Sequence, residues 1–342
     1  MAWETCVSVS PAAVAEAAAI LDVDVASDGE AKRQLLLVVD DDDDSEPNPY
    51  EYRVFFEWLW NDYGCKIDDV TRGPTFRTPG ARIFPCVEVY SCRVIDLAAG
   101  LEWPIDVFGF VAARDALGRK RNYIFNRPRG DAQTLTAEDP SFVLTGPIRA
   151  INCSQRIEFE VDLKVRGKSQ SDKDKVLSAR YIVYETIGPN TVVGQVMSKA
   201  RPGKRCSVEV TFAHLAGAVE AAIEVRVVQG SSGFRGRFIA RTDGYDDDVV
   251  LLDSSNDGSV PVADDGVIKL ARSVAVVEST GVLNLHAIIT RNDSSSGDDG
   301  GGVASEGHAE FAAQRFESSC RTLDLGFCKM LATVSWSMIP LI

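Results

Sequence analysis

Apolar and polar residues alternate along most of the chain from Ile83 onward, with the two-residue period of a β-strand that buries one face. In the segment RIEFEVDLKVR, every second residue from Ile157 to Val165 is apolar and the residues between them are charged. This pattern predicts a half-buried strand with a solvated charged face. Turn-rich stretches such as RGKSQSDKDK and NDSSSGDDGGG separate further strands of this kind. The sequence therefore predicts an all-β fold, or a β-rich α+β fold, built as an antiparallel β-sandwich.

The residues before this region have a different period. An aromatic stripe recurs at helical spacing in YEYRVFFEWLWNDYG, at Tyr52, Phe55, Phe56, Leu59, Trp60 and Tyr63. It predicts one N-terminal amphipathic helix that packs on the sheet, or alternatively clamps a ligand. Residues 1–49, which end in the acidic run DDDDDSEPNP, are predicted to be a flexible leader with an acidic linker. The predicted domains are the leader, 1–49, and a β-rich domain, 50–342, with a helix-containing front part to about residue 80.

The formal net charge of −14 bears on the partners of the protein. It argues against a nucleic-acid binder that works by counterion release, and against attraction to an anionic membrane. No apolar run approaches the ~20 residues that a membrane-spanning helix needs. The first residues include Glu4, Glu16 and Asp22, whereas a signal peptide begins with basic residues. We therefore expect a soluble intracellular protein, cytoplasmic or alternatively nuclear, whose partner is an unknown protein or small ligand.

The eight cysteines form no C-x-x-C pair, so the sequence contains neither a zinc-ribbon motif nor a thioredoxin-type motif. Cys86 and Cys92 lie six residues apart in a strand-like segment. That spacing predicts one shared face and a separation of about 20 Å, too far for a bridge without a turn. We expect free thiols and no disulfides.

A basic stretch, RKRNYIFNRPRGD, interrupts this acidic chain and raises the question of an anion-binding surface. The pattern around it predicts a hairpin: VFGFVAARD as one strand, a turn around Gly118, and NYIFN as the returning strand. Tyr123 and Phe125 would share a face, with Arg121 and Arg127 at its ends. These two arginines are candidate binding residues for an anionic ligand, and the alternative is a structural hairpin whose arginines pair with nearby carboxylates.

A second candidate site lies in the acidic stretch from Asp246 to Asp265. The segment DSSNDGSVPVAD resembles a calcium loop, with Asp253, Asp257 and Asp264 at the first, fifth and twelfth positions. Strand-like flanks, Pro261 within the loop and an aspartate in place of the final glutamate count against an EF-hand. Calcium is the only cofactor considered, an ordinary turn whose carboxylates diverge into water is the favoured interpretation, and no metal ligand is assigned.

The sequence carries no recognisable catalytic motif. The three histidines, His214, His286 and His308, show no paired spacing; there is no G-x-S-x-G elbow, and the Gly-rich loop lacks Gly-Lys-Ser/Thr. The segment VEAAIEVRV also lacks the helical Glu with Arg three residues later that a ribosome-inactivating N-glycosidase needs. We therefore expect no enzyme and assign no catalytic residue.

One block, WPIDVFGFVAARDALGRKRNYIFNRPRGDAQTLTAEDPSFVLTGPIRA, resembles a plant family known only as a domain of unknown function. The segments FEVDLKVRG, DKDKVLS, VVLLDS and LDLGFCKMLATVSWS extend the resemblance over roughly residues 52–340. That family is abundant in grasses and also occurs behind ribosome-inactivating domains in relatives of the jasmonate-induced 60-kDa protein.

The resemblance implies a conserved β-rich fold and no established activity. The leading hypothesis is a non-catalytic interaction module of a plant stress or defence protein. The alternatives are an accessory or toxin-type protein tied to ribosome inactivation, and a calcium-dependent binding module.

Overall fold

The computed structural model describes residues 66–74, 80–98, 100–168, 172–188, 191–231, 233–255, 258–291 and 304–340. The predicted leader and the predicted amphipathic helix lie outside these described residues. Within them the chain forms strands and one 3-10 turn, Arg129–Asp131. The strands are β1 (Phe84–Leu97), β2 (Ile105–Arg114), β3 (Asn122–Arg127), β4 (Gln133–Leu135), β5 (Ile151–Asn152), β6 (Ile157–Val165), β7 (Lys175–Tyr184), β8 (Val196–Pro202), β9 (Cys206–Gly230), β10 (Phe234–Thr242), β11 (Val249–Asp253), β12 (Val274–Glu278), β13 (Val282–Arg291), β14 (Ala304–Ala312), β15 (Ser318–Asp324) and β16 (Cys328–Ser337).

The strands form three sheets in which all of these strands pair antiparallel. A seven-stranded sheet has the order β15-β16-β9-β1-β5, with β8 and β12 also paired to β9. A five-stranded sheet has the order β3-β2-β6-β7, with β4 paired to β2. A four-stranded sheet has the order β11-β10-β13-β14. The predicted all-β, antiparallel fold class is confirmed for the described part of the chain.

Two hydrophobic cores lie between these sheets. The first packs the five-stranded sheet, through residues such as Val111 and Phe159, on one part of the seven-stranded sheet, including Phe212 of β9. The second packs the four-stranded sheet, through residues such as Phe238, on another part that includes Val225 of β9. Strand β9 is 25 residues long and serves both cores. The three sheets therefore form a single layered structure around β9.

The apolar face of β6 is buried as its period predicts, from Ile157 to Val165. The prediction that its charged face is solvated is wrong at Glu158 and Glu160, which are also fully buried, whereas Asp162 and Lys164 are half-buried. Arg114, at the end of β2, and Arg121, in the loop before β3, donate to Glu160 on this face, and the Ile67 carbonyl oxygen of segment 66–74 accepts from Arg114. A charged face on a strand is thus no guarantee of contact with water.

A register shift between Val89 and Ser91 interrupts β1. Cys86 consequently belongs to the second core and Cys92 to the first, so the prediction that they share a face is wrong. The described cysteines, including these two, are free thiols. Burial raises the pKa of both buried thiols above its ordinary value.

None of the helices among the described residues has the length and apolar character to cross a membrane.

Candidate functional site

The hairpin predicted from the basic stretch is confirmed: β2 and β3 pair antiparallel. A register shift between Val111 and Ala112 changes the expected orientation of its aromatic side chains. Phe125 packs in the first core, with its ring centroid 4.7 Å from that of Phe142. Tyr123 instead packs edge-on against Phe110, at 5.5 Å, outside that core. The prediction that Tyr123 and Phe125 share a face is therefore wrong.

Arg121 is buried and bound by carboxylates. Its guanidinium donates to both oxygens of Glu160, at 2.7 and 2.9 Å, and to Asp68 at 2.7 Å. It also lies 4.4 Å above the centroid of the Phe110 ring. Burial alone lowers the pKa of Arg121, but the hydrogen bonds to Glu160 and Asp68 outweigh it and raise the pKa above its ordinary value. An anionic ligand at Arg121 would have to compete with these carboxylates.

Three further arginines complete a buried ionic cluster on this face of β6. Arg114 binds Glu160 at 2.8 Å, and Arg119 and Arg156 bind Glu158 at 3.1 and 2.7 Å. Burial raises the pKa of Glu158 above its ordinary value, and the two arginines act in the opposite direction. The alternating pattern of β6 does not signal this cluster. Arg156 is its sequence neighbour, but Arg114 ends the distant strand β2, and Arg119 and Arg121 lie in the loop that follows it.

Arg127 lies at the other end of β3 and has a different partner. Its guanidinium is 3.2 Å from the carboxylate of Asp131, whose side chain is 66% exposed. Among the carboxylates near the hairpin, Asp131 pairs with a hairpin arginine, whereas Asp115 binds Arg149 at 2.6 Å. The structure does not join Arg121 and Arg127 into one anion-binding group.

The acidic stretch is divided among separate arginines. Asp253 lies 3.4 Å from Arg237 and accepts the backbone N–H of Ser255 at 3.0 Å. Asp264 is exposed in a turn, and its neighbour Asp265 pairs with Arg226 at 3.2 Å. Asp257 lies outside the described residues. Calcium binding at this stretch stays a prediction.

The solvent-facing side of the four-stranded sheet, called here the open face, is the most complete candidate site. Along these strands, residues of the open face alternate with residues such as Phe238 and Leu285, whose side chains point into the second core. The open face carries Arg237, Ile239 and Arg241 on β10, Asn284, His286 and Ile288 on β13, and Glu306, His308 and Glu310 on β14. A cavity of about 340 Å³ lies on it, lined by residues that include Ile239, Arg241, His286, Ile288, Glu306 and His308.

Two histidines meet in this cavity. His286 and His308 are directly opposite partners in the β13–β14 ladder, and their stacked rings have centroids 6.3 Å apart. Arg241, at the side of the cavity, donates to Asp248 at 2.6 Å. Sequence reasoning missed this pair, since the two histidines are 22 positions apart and meet only through the register of the ladder. The third histidine, His214, is buried with Nδ1 at 2.9 Å from the Tyr184 hydroxyl, and burial lowers its pKa.

Comparison with known families gives one match, to the family described as Domain of unknown function (DUF6598), over residues 86–334. No curated protein matches the chain. The match confirms the expected resemblance to a domain of unknown function. The grass origin and the ribosome-inactivating relatives stay predictions.

Two solved structures show a weak likeness. Human GIVD cytosolic phospholipase A2 is 11% identical with a TM-score of 0.24, and the match covers 76% of this chain but only 33% of the phospholipase chain. The C2A- and C2B-domains of Extended-Synaptotagmin 2 are 8% identical with a TM-score of 0.25, and the match covers 81% of this chain and 98% of that one. At these TM-scores the likeness carries no argument about function.

Proposed function

Because the chain belongs to the DUF6598 family, whose description names no activity, we propose a function from its geometry: a non-catalytic binding module that uses the open face of its four-stranded sheet. The observation that carries this proposal is the cavity on that face. Imidazole, guanidinium and carboxylate groups surround the apolar side chains of Ile239 and Ile288 there. Ligand-binding pockets typically combine apolar side chains, which provide affinity, with a few polar groups that fix the orientation of the ligand.

The open face is also rigid enough to present these groups in a fixed arrangement. Its side chains stand on paired strands whose opposite side packs into the second core. Asp248 holds the guanidinium of Arg241 through two hydrogen bonds, at 2.6 and 3.2 Å. Side chains fixed by a ladder and by neighbouring groups lose less entropy on binding than those of a loop.

A matched pair of substitutions tests this proposal. Ile288 is 37% exposed on the open face, and Val143 is 43% exposed on a segment outside the four-stranded sheet. Ile288→Asp and Val143→Asp therefore introduce the same carboxylate in place of a branched apolar side chain. The parent and both variants would be immobilised in parallel, and the plant proteins that each retains would be quantified by mass spectrometry.

We expect Ile288→Asp to lose partners that the parent and Val143→Asp both retain. Equal retention by all three proteins would mean that binding does not use the open face. Thermal melting of both variants checks that either loss reflects the surface and not the fold.

The biological setting of this module is inferred from the family resemblance alone. We propose an intracellular plant protein of a stress or defence response, with an accessory role in ribosome inactivation as the second candidate. Adding the protein to ribosomes with and without an rRNA N-glycosidase separates the two. Depurination that depends on this chain would favour the accessory role, and unchanged depurination would favour the binding module.

A further inference from the structure

Two of the three histidines of the chain face each other on the open face. We propose that His286 and His308 chelate a divalent transition-metal ion of the Zn²⁺, Ni²⁺ and Cu²⁺ class. The inference rests on the proposed function only in placing the ion on the same face, since metal binding requires no protein partner. Imidazole nitrogen is a preferred ligand for these ions, whereas Ca²⁺ and Mg²⁺ prefer oxygen.

The ladder places the two imidazoles within reach of one ion. Directly opposite residues in an antiparallel pair have Cβ atoms about 4.5–5.5 Å apart. The ring centroids of His286 and His308 are 6.3 Å apart, with an angle of 25° between the ring planes. An ion needs one nitrogen of each ring at about 2.0–2.1 Å. Tilting the rings by side-chain rotation alone meets that requirement, because His308 is exposed and His286 only partly buried.

The surrounding charges are compatible with a cation. Glu306 lines the same cavity and lies two residues before His308, on the same side of β14. Arg241 also lines the cavity, but its charge is offset by the ion pair with Asp248. Among the described residues, no group of three or more histidine, cysteine, aspartate or glutamate side chains is arranged around a metal position. Two imidazoles therefore supply the chain's ligands, and water or a donor from a partner fills the remaining positions.

The test is a titration of the full chain with Ni²⁺ alone. Ni²⁺ is the probe because the cysteines of the chain compete more strongly for Zn²⁺. Calorimetry would compare the parent with His286→Asn, His308→Asn and the double variant. Asn284→Ala, on the same strand and face as His286, is the matched control.

Chelation predicts that tight Ni²⁺ binding needs both histidines. Each single histidine variant should weaken the binding of one Ni²⁺ by roughly a hundredfold, the low end of the gain that a second tethered ligand gives. The double variant also loses the remaining imidazole and should bind Ni²⁺ more weakly than either single variant, and Asn284→Ala should match the parent. Parent-like binding by either single histidine variant, or an equal loss in Asn284→Ala, would overturn the proposal.

A second measurement needs no substitution. Electron paramagnetic resonance of the parent with one equivalent of Cu²⁺ should show coupling to two imidazole nitrogens, and a signal without them overturns the site. Ni²⁺ binding that requires both histidines, together with equal partner retention by the parent, Ile288→Asp and Val143→Asp, would reject the proposed function and leave the metal site intact.

Discussion

Replacing Glu160 by glutamine removes a charge that two buried arginines share. Glu160 is fully buried and binds Arg114 at 2.8 Å and Arg121 at 2.7 Å. Glutamine keeps one carbonyl oxygen as an acceptor but turns an amide N–H₂ group, which can only donate, toward a guanidinium. The variant therefore leaves positive charge in the interior without the carboxylate that offsets it.

The size of the effect follows from the burial. Removing one member of a buried ion pair costs about 3–5 kcal/mol, and we expect the lower end because Arg121 keeps its bond to Asp68. At about 2–4 °C per kcal/mol for a domain somewhat smaller than this one, Glu160→Gln should melt about 6–12 °C below the parent. Asp131→Asn breaks the exposed pair with Arg127 and should change stability by no more than about 1 kcal/mol.

Differential scanning calorimetry of the parent and both variants at neutral pH measures these shifts. Urea unfolding of the same proteins checks that the difference lies in stability and not in the denatured state. If Glu160→Gln melted no lower than Asp131→Asn, the cluster would contribute nothing and our account of the covered face of β6 would be wrong.

Three other predictions concern separate groups. The parent and Asp253→Asn should each melt at the same temperature in millimolar calcium as in chelator. If the acidic stretch did bind calcium, calcium at a hundredfold excess over its dissociation constant would raise the free energy of unfolding by about 2.7 kcal/mol. Hydrogen bonds from a threonine hydroxyl and an arginine lower the pKa of Asp106. Its stabilisation is therefore present above the unfolded pKa of about 3.9 and is lost as pH falls through the folded value, so Asp106→Asn and the parent should converge in acid melts. Iodoacetamide should modify exposed Cys320 in the native protein and spare buried Cys86 and Cys92, as peptide mapping by mass spectrometry would show.

The strand period of the sequence was enough to predict the antiparallel all-β class and the β2–β3 hairpin. Alternation identifies which side of β6 is apolar, because side chains on a strand point to opposite faces in turn. It cannot show what covers the opposite side, and Glu158 and Glu160 were misplaced for that reason. Register shifts are equally invisible to it, which is why Cys86 and Cys92 were assigned to one face.

The candidate site is built from contacts between residues that are distant in the sequence. The sequence identifies Arg121 and Asp253 as charged residues near turns. Their partners, Glu160 for Arg121 and Arg237 for Asp253, lie in other strands. His286 and His308 become neighbours only when the alignment of β13 with β14 is known. Local patterns specify each strand, and the contacts that join one strand to another are fixed by packing of the whole chain.

The length of β9 limits how this protein can be divided or recombined. A fragment that ended inside β9 after Ala222 would keep Ala213 and Leu215, which face the second core, without the strands that cover them. The complementary fragment would lose the part of β9, Cys206 to Ala222, with which β1 and β12 pair. Either piece would expose apolar side chains and an unpaired strand edge, a combination that promotes aggregation. Exchange of segments between related chains should accordingly be tolerated at the turns around β9 and not within it.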